Sequence, residues 1–174
     1  MDNYLLMNPS LELEQFSKQL GFTKTFFVDK DFVLTRTESK KELLQKVKEA
    51  KKKNLLVIYR PATEELFRFA LEKTPVDIIL GIEQINPKDS LHFVRGSLDS
   101  VTAKIARDNE KILAFSFTDI LNSKNQPQLL ARMKLNLKLC RKYKVSILFN
   151  NFSQEKMELR AAKDLESFFR YLNR

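Results

Sequence analysis

Four short apolar runs constrain this chain more than any other feature: Leu55-Leu56-Val57-Ile58-Tyr59, Val76 to Leu80, Ile112 to Phe117 and Val145 to Phe149. The first is continuously apolar and the others are interrupted only by Asp77, Ser116 and Ser146, so they read as strands buried on both faces. Segments of helical period lie between and after them. Ala62 to Lys73 turns Leu66, Phe69 and Ala70 to one side. Leu98 to Asp108 does the same with Leu98, Val101 and Ile105, and Gln128 to Tyr143 and Ala161 to Leu172 follow. Strands of this kind joined through helices pair in parallel, with the crossover helices covering the sheet.

The first part of the chain keeps the same rhythm. Tyr4 to Met7 reads as a strand, Asn8 as an N-cap, and Pro9 suits the first helical position, where its missing N–H costs nothing. Leu13, Phe16 and Leu20 make that helix's stripe, and Gly21 ends it. Thr25 to Val28 and Phe32 to Thr35, separated by Asp29-Lys30-Asp31, form either a hairpin or a strand followed by a short edge strand. Ser39 and Glu42 have capping-box spacing ahead of Leu43, Val47 and Ala50. An open doubly wound sheet and a reduced (β/α) barrel both fit. A complete eightfold barrel usually takes about 250 residues, more than the 174 present. With no internal repeat or linker, residues 1–174 are expected to form one domain.

Hydrophobic residues are 43 % of the chain, with 14 Phe among them, enough for a substantial core. No run approaches the roughly 20 apolar residues of a membrane span. Met1-Asp2-Asn3-Tyr4 lacks a basic region ahead of an apolar stretch, so no signal peptide is expected. A single cysteine, Cys140, excludes an intramolecular disulfide and multi-cysteine zinc sites, and a single histidine, His92, excludes HExxH chemistry. There is no GxGxxG, GxxxxGK[ST] or GxSxG. These absences point to an intracellular, soluble, cytoplasmic protein without a catalytic motif of its own.

Cys140 lies in line with Leu129, Met133 and Leu137 and reads as a packing thiol. Asp77, Glu83, Asp99, Asp119 and Asp164 fall at strand ends and helix starts, where the helix dipole favours them. A carboxylate-only Mg²⁺ site leaves little further signature, so a metal-dependent phosphoesterase is the alternative reading.

The positive signal is charge: 31 Lys and Arg stand against 22 Asp and Glu, a formal +9. Such a surplus favours polyanions, because binding phosphates releases counterions. Lys134, Lys138, Arg141 and Lys142 cluster in a sector beside the apolar stripe of the long helix, with Lys144 just beyond it. One helical turn, about 5.4 Å, separates successive charges, a spacing that suits successive phosphates.

From Leu91 onward the sequence resembles a known family. The stretch Arg95-Gly96-Ser97-Leu98-Asp99-Ser100-Val101-Thr102-Ala103-Lys104-Ile105-Ala106 is similar to its (S)GLDHVLAKLA segment. Ile112 to Phe117, Leu130 to Leu137 and Cys140-Arg141-Lys142-Tyr143-Lys144-Val145 follow in the family's order. Glu158-Leu159-Arg160-Ala161-Ala162-Lys163-Asp164-Leu165 is similar to its ELRSPRDL segment, with Ala162 in place of Pro. Asn150-Asn151-Phe152 stands where the family usually has small residues. The family is ribonuclease P protein component 3, the archaeal relative of the thirty-kilodalton subunit of the eukaryotic enzyme.

The resemblance implies an α/β fold, a reduced TIM-like barrel related to the metal-dependent polymerase-and-histidinol-phosphatase type but without its metal ligands. It implies a subunit of the ribonucleoprotein that removes 5′ leaders from precursor tRNA, with catalysis and Mg²⁺ on the RNA and no cofactor or independent active site on this chain. The implied partners are ribonuclease P RNA and a small protein subunit, in a heterodimer or heterotetramer, with precursor tRNA met indirectly and no membrane. Read with the charge, this makes Arg60, His92, Arg95, Lys104, Arg107, Arg132, Lys138, Lys144, Arg160 and Lys163 the candidate RNA-binding residues. Arg160 is also placed to pair with Asp164 one turn on.

Overall fold

In the computed structural model, which describes every residue except Pro87, Ser90, Leu91 and His92, seven short strands run parallel in chain order. They are β1 (Asn3–Leu5), β2 (Thr25–Phe27), β3 (Phe32–Thr35), β4 (Leu56–Tyr59), β5 (Ile78–Leu80), β6 (Ile112–Ser116) and β7 (Ser146–Asn150). β1 pairs with β2, and β3 to β7 form a five-stranded parallel sheet in sequence order. Single parallel bridges, Val28 to Phe32 and Leu5 to Ser153, join these two sheets at both seams. The strands therefore close into a ring, and the barrel alternative is the one the chain adopts.

Period-two alternation gives each strand one face inside the barrel and one under the helices, Leu5 and Phe27 packing in a third cluster with Leu13 and Phe16. Phe32, Ile58, Ile78, Leu80 and Ala114 point into the barrel with Tyr4, Phe26, Leu34 and Leu148. Val57, Tyr59, Ile79, Leu113, Phe115 and Phe149 point outward under the helices. Tyr4 stacks on Phe26 at 4.8 Å between ring centroids and lies 5.8 Å from Phe32 and 5.7 Å from Phe152, so aromatic rings fill the lumen at the seam.

The covering helices are α1 (Leu11–Gln19), α2 (Lys40–Lys52), α3 (Glu64–Lys73), α4 (Ser100–Asp108), α5 (Phe117–Leu121), α6 (Gln126–Tyr143) and α7 (Ala162–Leu172). Most starts carry the expected chemistry. Ser39 Oγ accepts from Glu42 N at 3.2 Å, and Asp99 and Thr102 form a reciprocal capping box at α4.

Three readings of the sequence are corrected, and the choice left open for Phe32 to Thr35 falls to the edge strand, since β3 lies at the edge of the five-stranded sheet. The N-cap of α1 is Ser10, whose hydroxyl accepts from Leu13 N, so Asn8 and Pro9 precede the helix. β2 and β3 are parallel neighbours and make no hairpin: Asp31 N donates to Phe27 O and Asp29 N to Phe32 O, folding the link into a tight loop with Asp29 in the left-handed region. Phe117 opens α5 because Ser116 caps it. α6 starts at Gln126 behind the N-cap Asn125.

Side-chain amides finish the closure. Asn150 Oδ1 accepts from Tyr4 N at 2.9 Å and its Nδ2 donates to Asp2 O at 2.6 Å. Asn151 Nδ2 donates to Asn3 Oδ1 at 3.0 Å, and its Oδ1 accepts from Arg160 N at 3.1 Å. Both amides are fully buried, and they supply the hydrogen bonds that the short β1 leaves unmade toward β7.

Candidate nucleic-acid interface

Between Asp119 and Glu155 the sequence has no carboxylate, while Lys124, Arg132, Lys134, Lys138, Arg141, Lys142 and Lys144 lie in that interval. α6 falls inside it. The buried face of α6 is Leu129, Arg132, Met133, Asn136, Leu137 and Cys140. Lys134, Lys138, Arg141 and Lys142 are exposed, and Lys144, in the left-handed region at the C-cap, extends the row. Among the described residues, the only ion pair made by α6 is that of Arg132.

Two tyrosines are interleaved with this charge. Lys104 Nζ, from neighbouring α4, and Lys142 Nζ lie over the Tyr143 ring at 5.9 and 5.4 Å from its centroid. Lys134 Nζ lies 5.2 Å over Tyr171 of α7, which is 64 % exposed. A hollow of about 300 Å³ runs between Lys134, Lys138, Arg141, Tyr171 and Arg174. Ammonium groups beside exposed aromatic faces suit a single-stranded or looped polynucleotide: the charges meet phosphates and the rings meet bases. Arg141 is partly committed, since its Nη1 donates to the Asn173 and Arg174 carbonyl oxygens at the end of α7.

The ten residues expected to meet RNA separate into groups. Lys104, Lys138 and Lys144 belong to the α4–α6 ridge, and Arg107, at the end of α4, pairs with Asp108 at 2.6 Å. Arg95 and Lys163 are exposed, Arg95 with its guanidinium over Phe93. Arg160 makes its hydrogen bonds to the Met157 and Leu159 carbonyls and lies over Phe117; pairing with Asp164 is absent. His92 lies outside the described residues.

Arg132 is a correction. Only 5 % exposed, it donates through Nε to Asp89 at 2.8 Å and through Nη1 to the Glu83 and Asn86 carbonyls. Its charge holds the loop after β5 onto α6, and its Nε and Nη1 donors are taken by the protein. Gly96 fixes the same loop from its other end: a Cβ there would lie 2.3 Å from Asn136 Oδ1.

Arg60 stands at the C-terminal mouth of the barrel, where its Nη2 donates to Asp119 at 2.5 Å. Burial raises the Asp119 carboxyl, and the Arg60 charge opposes that shift. Beside them Glu83 is 0 % exposed with neither carboxylate oxygen partnered, and desolvation pushes it up to about 8. Glu83 is therefore a neutral acid at pH 7. Among the described residues no three His, Cys, Asp or Glu side chains are grouped to hold a metal ion, and no helix is long and apolar enough to cross a membrane. Cys140 is a buried free thiol, raised by desolvation to about 12, which fits packing.

The ridge is visible in the sequence, Tyr171 is not singled out there, and Glu83 stands there only as one of five carboxylates at strand ends and helix starts. Tyr171 was legible as the outward position of α7 beside Phe168 and Phe169, whereas the burial of Glu83 depends on the turn after β5.

No family model matches the chain. It is 28 % identical over 142 residues to ribonuclease P protein component 3 of Methanocaldococcus jannaschii, covering 80 % of this chain and 58 % of that protein. It is 24 % identical over 141 residues to the protein of the same name from Archaeoglobus fulgidus, covering 80 % of this chain and 64 % of that one. The chain thus spans about three fifths of the length of these relatives. In structure it superposes on a chain of an archaeal ribonuclease P solved by cryo-electron microscopy with mature tRNA. The TM-score is 0.83 at 21 % identity, over 99 % of this chain and 82 % of that one. In sequence the chain is thus similar to proteins named ribonuclease P protein component 3, and it shares its barrel with a chain of an archaeal ribonuclease P.

Proposed function

We propose that this chain is a protein subunit of ribonuclease P that stabilises the fold of the enzyme's RNA, the reaction being removal of the 5′ leader from precursor tRNA. The observation that carries the reading is the carboxylate-free α6 ridge, with Lys104, Lys134, Lys138 and Lys142 presented around Tyr143 and Tyr171, on a chain similar in sequence to ribonuclease P protein component 3. The mechanism is electrostatic. Ammonium groups at one-turn intervals neutralise phosphates that crowd together when the RNA folds, and so favour the compact form.

On this reading the RNA supplies the chemistry and binds the Mg²⁺, and the chain contributes no catalytic group or cofactor. A small ribonuclease P protein is the expected protein partner, and the cytoplasm the expected compartment. Arg95, Lys104, Arg107, Lys138, Lys144, Arg160 and Lys163 remain the proposed RNA contacts, with Lys134, Lys142 and Tyr171 added. Arg60 contributes from the barrel mouth, and His92 stays in the proposal on its sequence alone.

The test is RNA affinity as a function of salt. Replacing Lys134, Lys138 and Lys142 together by Ala is expected to lower the slope of log affinity against log salt by about 2–3. An unchanged slope in the folded triple variant would count against the ridge.

A further inference from the structure

We propose that the C-terminal mouth of the barrel is a binding site for a nucleotide, with its phosphate held between Arg36 and Arg60 and its base in the polar cleft beside them. Inward alternation along β3 and β4 carries Leu34 and Ile58 into the lumen, so the next inward positions, Arg36 and Arg60, come out at the rim on neighbouring strands. The ladder continues to that level, where Arg60 N donates to Thr35 O at 2.9 Å. Like charges side by side on adjacent strands repel, and only Arg60 has a carboxylate partner among the described residues. Arg36 is exposed and makes no ion pair there. Arg60 Nε is buried without an acceptor. The Arg60 guanidinium lies against Gly81, where a Cβ would approach it to 3.1 Å.

Arg36 and Arg60 line a hollow of about 400 Å³ with Thr118, Asn122 and Gln154. It adjoins a second of about 410 Å³, and Asp119 and Asn122 line both. The second hollow holds Glu83, Gln84, Asn86 and Gln128. With one carboxylate, Asp119, matched to Arg60 and Glu83 uncharged at neutral pH, the mouth keeps a net positive charge, as a phosphate requires. The cleft offers what a base edge needs: amide oxygens of Asn86 and Asn122 whose NH₂ groups are bound elsewhere, with the buried Glu83 setting the local charge and making no contact of its own. The proposal draws on the ribonuclease P reading only for the source of the nucleotide, which is either an RNA end or a free nucleoside monophosphate.

Titration of the full chain, followed by amide shifts in NMR, would use the four nucleoside 5′-monophosphates, ribose 5-phosphate, inorganic phosphate and a 5′-phosphorylated pentaribonucleotide. At least one monophosphate is expected to bind at least about tenfold more tightly than ribose 5-phosphate or inorganic phosphate. Arg36→Ala, at an exposed side chain, is expected to remove a similar factor. Glu83→Gln should keep binding and abolish the loss expected as pH passes about 8. Tighter binding of the pentamer assigns the site to an RNA end, and equal binding to a free nucleotide. Ribose 5-phosphate binding as well as every nucleotide, or Arg36→Ala binding unchanged, overturns the proposal. The Lys134, Lys138 and Lys142 triple variant should keep nucleotide binding, so a failed ridge and a failed mouth are told apart.

Discussion

Glu83 shows what one residue's surroundings do to its chemistry. Burial without partners holds its carboxyl at about 8 against an ordinary 4.5, so the native state keeps a proton that the unfolded chain releases. The associated stability is fully present below about pH 4.5 and is lost as pH rises through about 8. Urea titrations of wild type across that window should show falling stability, and Glu83→Gln should flatten the curve. A slope that survives in the variant would place the proton elsewhere. At Gly96 space is the constraint, since an added methyl meets Asn136 at 2.3 Å. Gly96→Ala should cost about 1–3 kcal/mol, read from the denaturation midpoint. Neither residue stands out in the sequence, because each acquires its role from a neighbour many positions away.

At the scale of elements, α6 was legible in outline and misread in one respect. Leu129, Met133, Leu137 and Cys140 repeat at helical spacing, and their burial follows from that pattern. Arg132 and Asn136 share the face, and the sequence gives no sign that a loop comes to rest on them. Arg132→Ala would leave the Glu83 and Asn86 carbonyls without their donor and Asp89 without its charged partner, and is expected to cost about 3 kcal/mol. It would weaken RNA binding only through loss of fold, whereas the triple lysine variant should keep wild-type stability. Equal stability of Arg132→Ala and wild type would contradict the assignment. β2 and β3 were uncertain for a related reason. Four residues ordinarily suggest a hairpin, and only the barrel's need for a neighbour beside β1 and β4 makes them parallel.

For the whole molecule, the rhythm of doubly buried strands was enough for a parallel sheet with crossover helices but not for closure. Closure rests on Asn150 and Asn151 together with the bridge between Leu5 and Ser153. The asparagine amides tie β7 to Asp2, Asn3 and Tyr4, contacts that span almost the full length of the chain and leave no local pattern. Asn150→Ala should destabilise by about 3 kcal/mol, with hydrogen exchange quickening first in β1. The charge surplus, by contrast, was plain in composition, and the fold gathers part of it on α4 and α6. The central claim is that this barrel serves an RNA enzyme. Its most direct test is cleavage of precursor tRNA by the matching ribonuclease P RNA and its other protein subunits at limiting Mg²⁺, with and without this chain. The account predicts a higher rate when the chain is added and none from the chain alone. A rate that the chain leaves unchanged would contradict it.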